Sequence, residues 1–443
     1  MSVRRKVLFA GYEFEQTIQR GIYLYTKSLI HAIHENGYET GILSQSKNSN
    51  DNVLLTQIYH SLRGEVEHSH KKIALQYLKT LMGFYKEKII KNQERMFTEE
   101  EFWYLKDIDY FVNIPMYYRM TGLALHMPGK LNIFPSDLKS LGPNDILFST
   151  SPLNFKTKKH KLVQTIHDMI PMNITIHSEN PSFFYTRLKA CAQADKLLAV
   201  SEFTRQQFLE QFPQAHDRIK VVYQPLPADE NAIYLSSLPK VQEAVLKKYN
   251  LKSKQYMYYV GAIEARKNIH RLIQAYELST KSNIERPLVL SGGIDKEYIQ
   301  KTKISKYFDE KSNGLKGQGS GGRHNIIKTD YVTEVEKLCL IRNARAFLFP
   351  TLNEGFGIPV LEAQTLGAPV LTCNNSSLPE VVGDSALMVE DAFNIEEIAT
   401  NIERLWVDDD LCADLSVRGM ENAKRFSKEN FRKNIATFLD EGL

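Results

Sequence analysis

Residues 344–367 read A-R-A-F-L-F-P-T-L-N-E-G-F-G-I-P-V-L-E-A-Q-T-L-G, and the fold follows from them. The apolar run Ala346-Phe347-Leu348-Phe349, closed by Pro350, predicts a strand buried on both faces of a parallel sheet. Glu354, Gly355, Phe356 and Gly357 then form a loop, and Pro359 stands where the first turn of a helix tolerates proline. Val360, Leu361 and Ala363 begin the apolar face of that helix, and Gly367 with Pro369 ends it. A buried strand passing through a glycine loop into a helix is the unit of an α/β fold.

The loop also carries chemistry. Glycines on either side of Phe356 let the backbone approach a ligand closely. The helix behind them directs N–H groups and a positive dipole end at that place, which suits a diphosphate. Glu354 and Glu362, eight positions apart, repel a phosphate but accept hydrogen bonds from vicinal hydroxyls. A phosphate cradle with hydroxyl acceptors beside it describes a sugar-nucleotide pocket. A bare pair of glutamates at this spacing is more often an ordinary helix start with exposed side chains. The flanking G-F-G-I-P between strand and helix favours the pocket.

The run Glu354 to Glu362 resembles the E-G-F-G-x-x-x-x-E signature of the retaining GT-B glycosyltransferases of family 4, the glycosyl transferases group 1. The resemblance implies an α/β protein of two Rossmann-like lobes facing a cleft, with a C-terminal helix crossing back to the first lobe. It implies that Glu354 contacts the donor sugar and Glu362 the ribose hydroxyls, with Gly355, Phe356 and Gly357 at the donor.

With 443 residues, 43% hydrophobic and 24% charged, the chain is long enough for two or three globular domains. Its net charge of +4 is too small to argue for nucleic acid, and no nucleic-acid-binding motif is present. The excess of positive charge lies ahead of Asp229, where it suits an anionic membrane surface or a phosphorylated acceptor. Cys191, Cys339, Cys373 and Cys412 are scattered and read as buried thiols in a reducing compartment. The N-terminus leads straight into a strand, and no run approaches the length of a membrane span. These features predict a cytoplasmic protein that at most lies on the membrane.

In the N-terminal half, Lys6–Tyr12 is a buried strand, and a helix from Gly21 to His34 follows with apolar positions at helical spacing. Glu39–Leu43 returns as strand, which opens a Rossmann-like lobe. Gly21 is either a turn residue or, as the resemblance implies, a neighbour of the donor phosphates. Residues 48–139 read as a long insertion with helices over Val53–Arg63 and Lys71–Arg95. Met82, Phe84, Tyr85, Ile89 and Ile90 among lysines fit a core-facing amphipathic helix better than an interfacial one. Asp107-Ile-Asp109 has the form of a metal-binding D-x-D, but nothing around it supports a metal, and His60, His68 and His70 read as loop residues.

Further strands are expected at Asp145–Thr150, Lys161–His167 and Lys220–Tyr223, and Leu197–Thr204 reads as a strand running into an N-capped helix. His167, opening H-D-M-I-P at the carboxyl end of its strand, is a structural histidine or, by resemblance, a contact to the donor sugar. Ser201 either caps a helix or lies at the cleft.

In the C-terminal half, the strand Tyr256–Gly261 runs into Arg266-Lys267-Asn268 ahead of a helix. Paired cations there suit a leaving diphosphate, and the resemblance includes this R-K-N. Pro287–Gly293 and Ile326–Val332 read as the next strands, and the resemblance places Tyr331 and Val332 at the base. Residues 311–324 are glycine-dense without a P-loop ending and read as a surface loop.

The sequence therefore predicts an acceptor-side lobe over residues 1–230, a linker at 231–250, a nucleotide-sugar lobe at 251–425 and a returning helix at 426–443. The expected reaction moves a hexose, with GDP-mannose favoured as donor, onto a hydroxyl of a glycan or lipid-linked acceptor with retention. Glu354, His167, Lys267 and Arg266 are its expected catalytic set, with no metal and no cofactor. A sugar phosphorylase, an epimerase and a non-catalytic sugar-nucleotide-binding subunit remain as alternatives.

Overall fold

The computed structural model describes residues 4–15, 21–45, 87–92, 100–125, 134–173, 180–279, 286–308, 326–329 and 331–442. The chain forms two units, one of residues 1–225 with 428–443 and one of residues 226–427.

The first unit is built on an eight-stranded sheet. Its strands are β1 (Lys6–Ala10), β2 (Glu39–Ser44), β3 (Lys88–Lys91), β4 (Tyr110–Asn113), β5 (Ile146–Ser149), β6 (Lys161–Ile166), β7 (Lys196–Ala199) and β8 (Ile219–Val221). They lie in the order β8-β7-β6-β5-β1-β2-β4-β3. All pairings are parallel except β3 against β4. Phe9, Phe111, Leu147, Val163 and Leu198 have no exposed surface, as a sheet covered on both faces requires. Helix α1 (Gly21–Glu35) connects β1 to β2, and the last helix of the chain, Lys428–Asp440, packs on it. Asn36 and Arg432 exchange hydrogen bonds of 3.0 and 3.1 Å. The buried Lys196 ammonium donates to the carbonyls of Phe438 and Glu441, which ties that last helix to the sheet.

The second unit has a six-stranded parallel sheet: β9 (Met257–Val260), β10 (Leu288–Ser291), β11 (Ile326–Thr329), β12 (Ala346–Phe349), β13 (Val370–Cys373) and β14 (Leu387–Val389). The order is β11-β10-β9-β12-β13-β14. The chain therefore leaves β9 in one direction and resumes at β12 in the other. The crevice beyond the carboxyl ends of β9 and β12 is a topological switch point, where open parallel sheets bind ligands. In the first sheet the corresponding point lies between β1 and β5. Both units have the Rossmann-like architecture expected from the sequence.

Several local expectations are corrected. Residues 231–250 are not a linker: they fold as α3 (Glu230–Ser237) and α4 (Pro239–Lys248), with α2 (Glu202–Gln211) preceding them in the first unit. The Asp229 carboxylate caps α3, and Pro239 occupies the first turn of α4, so composition that resembles a linker supplies helix starts. Residues 88–91 form an edge strand, not part of the helix expected over Lys71–Arg95. Ile89 is 54% exposed there and the flanking lysines blunt the edge. The Asp107-Asp109 carboxylates serve structure. Asp107 pairs with His31 at 2.8 Å, and Asp109 accepts from the Thr40 amide and faces His34. The expected helices at 53–63 and over most of 71–95, His60, His68, His70 and the loop 311–324 lie outside the described residues. All four cysteines are buried and form no disulfide. Among the described residues no helix is long and apolar enough to cross a membrane.

Candidate functional site

At the switch point of the second unit, two loops meet. One leaves β9 and carries Glu264, Arg266, Lys267 and Asn268; the other leaves β12 and carries Thr351 and Glu354. Asn268 holds the first loop in place. Its backbone is left-handed, with φ 60°, and its Nδ2 donates to the carbonyls of Pro350 at 3.0 Å and Ala392 at 2.7 Å. The R-K-N triplet thus combines two cations with the residue that pins them against the neighbouring strand end.

Glu354 Oε1 collects the cations. Lys267 Nζ lies 2.6 Å from it and Arg266 Nη1 3.0 Å, while Arg266 Nε pairs with Glu264 at 2.8 Å. The Thr351 hydroxyl is 3.0 Å from the same oxygen, and the ammonium sits 4.7 Å from the centre of the Phe349 ring. Lys267 is 6% and Glu354 8% exposed, so the pair is largely removed from water. Burial pushes the Glu354 pKa up, but Lys267 and Arg266 outweigh it and hold the carboxylate below its ordinary range. Burial in turn pulls Lys267 down from the usual lysine range, with Glu354 opposing. Two cations and two carboxylates give the cluster no net charge.

The loop after Glu354 is fixed from below. The Ser377 hydroxyl lies 3.0 Å from the carbonyl of Glu354 and 2.8 Å from that of Phe356, and the Ser376 hydroxyl accepts from the Glu354 amide. Gly357 has φ 109°, and a β-carbon there would lie 2.9 Å from Leu378 Cδ2. Only glycine fits both conditions. The loop then enters helix α7 (Ile358–Thr365), which packs against α6 (Glu334–Asn343); the R-K-N loop enters α5 (Ile269–Ser279). No side chain caps α7; Pro359 lacks an N–H and Val360 donates back to Gly357, which leaves the amide of Ile358 at the helix start.

Phe356 lies in the same loop. It is buried with its ring edge-on to Phe426 at 5.6 Å, so only its backbone can face a ligand. Tyr331 is 85% exposed, and its hydroxyl lies beside Gly293, where an added β-carbon would come within 2.7 Å of it. Val332 is partly buried against the core.

Glu362, on the first turns of α7, is 3% exposed and its Oε1 accepts from Lys337 Nζ of α6 at 2.7 Å. Lys337 also pairs with Glu334 at 2.9 Å. Burial raises the Glu362 pKa, and Lys337 works against that rise.

The remaining candidates belong to the first unit. His167 follows β6; its Nε2–H donates to the carbonyl of Thr150 at 2.9 Å and its ring meets Tyr25 edge-on at 4.9 Å. Burial lowers its pKa to about 4, so the ring is neutral at physiological pH. Ser201 is the cap of α2, accepting from the Thr204 amide at 3.0 Å. Gly21 opens α1, and a β-carbon there would meet nothing within 4 Å, so packing does not demand glycine.

Sequence reading missed two groups. Lys337 is one. The other is Glu13, buried after β1 at the switch point of the first sheet. Its Oε1 accepts from Thr26 at 2.6 Å and from the Thr150 hydroxyl, and its Oε2 from Ser151 at 3.2 Å. The signal for Glu13 was its place just beyond a buried strand, and for Lys337 a lysine four positions after a capping threonine.

Residues 241–422 match the family model "Glycosyl transferases group 1". Over 239 residues the chain is 35% identical to O-antigen chain mannosyltransferase B of Escherichia coli, a match covering 54% of this chain and 58% of that protein. It is 30% identical over 275 residues to serotype-specific mannosyltransferase WbdA of Escherichia coli, covering 61% of this chain and 32% of that one. The matches thus span between a third and somewhat over half of these relatives' length. Anabaena Alr3699/HepE, solved with UDP and glucose, superposes with a TM-score of 0.61 at 14% identity over 98% of this chain and 99% of that chain. WaaG, a glycosyltransferase involved in lipopolysaccharide biosynthesis, gives 0.60 at 14% identity over 98% and 100%. These two likenesses establish the fold.

Proposed function

We propose that this chain, a GT-B protein whose residues 241–422 belong to the glycosyl transferases group 1 family, transfers a hexose from a nucleotide-diphosphate sugar to a hydroxyl of a glycan or lipid-linked acceptor in polysaccharide synthesis. GDP-mannose is the favoured donor, because O-antigen chain mannosyltransferase B and WbdA, each matched over more than half of this chain, are named mannosyltransferases.

The observation that carries this reading is the Arg266-Lys267-Glu354 cluster at the switch point of the second sheet. An ammonium has three donors and a guanidinium five, so both cations can add phosphate oxygens while still holding Glu354. They neutralise the departing diphosphate, a task that needs no metal when cations and oriented amides perform it. Glu354, fixed through Oε1, directs its other oxygen to sugar hydroxyls, and Glu362 accepts from the ribose. In the retaining reaction the acceptor oxygen bonds to the anomeric carbon on the face that the phosphate leaves. The bond from that carbon to the phosphate oxygen breaks, and the hydroxyl proton passes to the freed phosphate. No separate catalytic base is required. In the first unit, we assign His167 to the donor sugar as a neutral hydrogen-bonding group.

A panel of GDP-, UDP- and dTDP-sugars tests the proposal, scored by thermal shift and by nucleotide release with and without a lipid-linked acceptor. A shift with one donor and slow release of its nucleotide is expected. No shift with any of them, in folded protein, would refute it.

A further inference from the structure

Glu362 is nearly out of contact with water, and a buried carboxylate without a partner is strongly disfavoured. Its partner comes from a different helix. Lys337 Nζ reaches Glu362 Oε1 at 2.7 Å and Glu334 Oε2 at 2.9 Å. The Lys337 side chain is 15% exposed, so the ammonium lies between a buried and a surface carboxylate. Helix α6, which carries it, is anchored by a capping box in which Thr333 and Glu336 satisfy each other's backbone amides. Glu336 is itself bound to Lys248 of α4. The lysine is therefore presented from a fixed helix start. Among the described residues no second group reaches the remaining oxygen of Glu362.

We propose that Lys337 is a positioning residue for nucleotide recognition: it keeps Glu362 ionised and occupies one of its oxygens, so that the other accepts from a ribose diol. This rests on the reading of Glu362 as the ribose acceptor. A neutral or rotated Glu362 would be a poorer acceptor, so removing Lys337 should cost the contact to the ribose and leave the diphosphate contacts intact. The recognised chemistry is a nucleoside diphosphate with a free 2′-hydroxyl.

The test compares GDP with 2′-deoxy-GDP, and UDP with 2′-deoxy-UDP, by calorimetry on the full chain. A hydrogen bond to an ionised group predicts that the wild-type protein binds the preferred ribonucleotide about tenfold or more tightly than its deoxy form. Lys337→Met should bring that ratio below about threefold, and Lys337→Arg should restore most of it. Glu362→Gln should also lose discrimination. Thermal melts confirm that each variant is folded. If Lys337→Met keeps the wild-type ratio while Glu362→Gln loses it, the role given to Lys337 is wrong. If Glu362→Gln keeps the ratio, or the wild type does not discriminate, the ribose reading fails and the inference with it.

Discussion

Replacing Lys267 by methionine removes one ammonium and leaves the Glu354 carboxylate 8% exposed with a single cation, Arg266, at 3.0 Å. Breaking a buried ion pair from one side costs about 3–5 kcal/mol. Arg266 and the added apolar contact with Phe349 offset part, which leaves a loss of about 2 kcal/mol. For a unit of this size that is a fall in melting temperature of about 4–8 °C. The pH dependence is more diagnostic. The native pKa of Glu354 lies below its ordinary value, so its stabilisation is present above that ordinary value and disappears as pH falls through the native one. In the variant, burial prevails and the carboxylate takes up a proton at higher pH, which relieves the unpaired charge. The deficit should therefore be largest near pH 7.5 and shrink towards pH 5. Calorimetric melts across that range measure it, and Lys267→Met/Glu354→Gln should be more stable than the two single losses predict. A deficit that does not change with pH, or strict additivity, would refute the ion-pair account.

Other expectations follow from the same geometry. Gly357→Ala forces a left-handed backbone at φ 109° and a close contact with Leu378, and should cost about 1–3 kcal/mol in thermal or urea melts. His167 has a native pKa of about 4 against an ordinary 6.5, so the unfolded chain binds the extra proton between those values and wild-type stability falls as pH drops through them. His167→Gln should abolish a loss of at most about 2 kcal/mol between pH 6.5 and 5. Glu13 behaves in the opposite sense. Burial raises its pKa, so its contribution is greatest below the ordinary carboxylate value and declines as pH rises. Glu13→Gln should therefore gain on the wild type in melting temperature from pH 5 to pH 8.

The second sheet was the more legible part of the fold. The strand Ala346–Phe349, the turn at Gly357 and a helix stopping before Gly367 could be placed because each depends on local signals: an apolar run, a glycine, a proline. The proximity of Arg266 and Lys267 to Glu354 could be anticipated only in outline, since it depends on β9 and β12 being adjacent across the switch point. Lys337 and Glu362 are 25 positions apart on different helices, and no spacing rule joins them. Glu13 and Thr150 are 137 positions apart and meet because β1 lies beside β5. The partner of the Phe356 ring was hidden for a related reason: Phe426 comes from much later in the chain. The Asp107-Asp109 pair shows the same limit, because its histidine partners lie on α1.

The central claim is that the second unit holds a nucleotide-diphosphate sugar and that Lys267 stabilises the departing diphosphate. Its most direct measurement is the nucleotide-release rate of wild type and Lys267→Ala at saturating donor, at a temperature where both are folded. The account predicts slow release by the wild type and a fall of about 100-fold or more in the variant, with donor binding retained. Equal rates in the two proteins, or no release by the wild type from any donor, would contradict it.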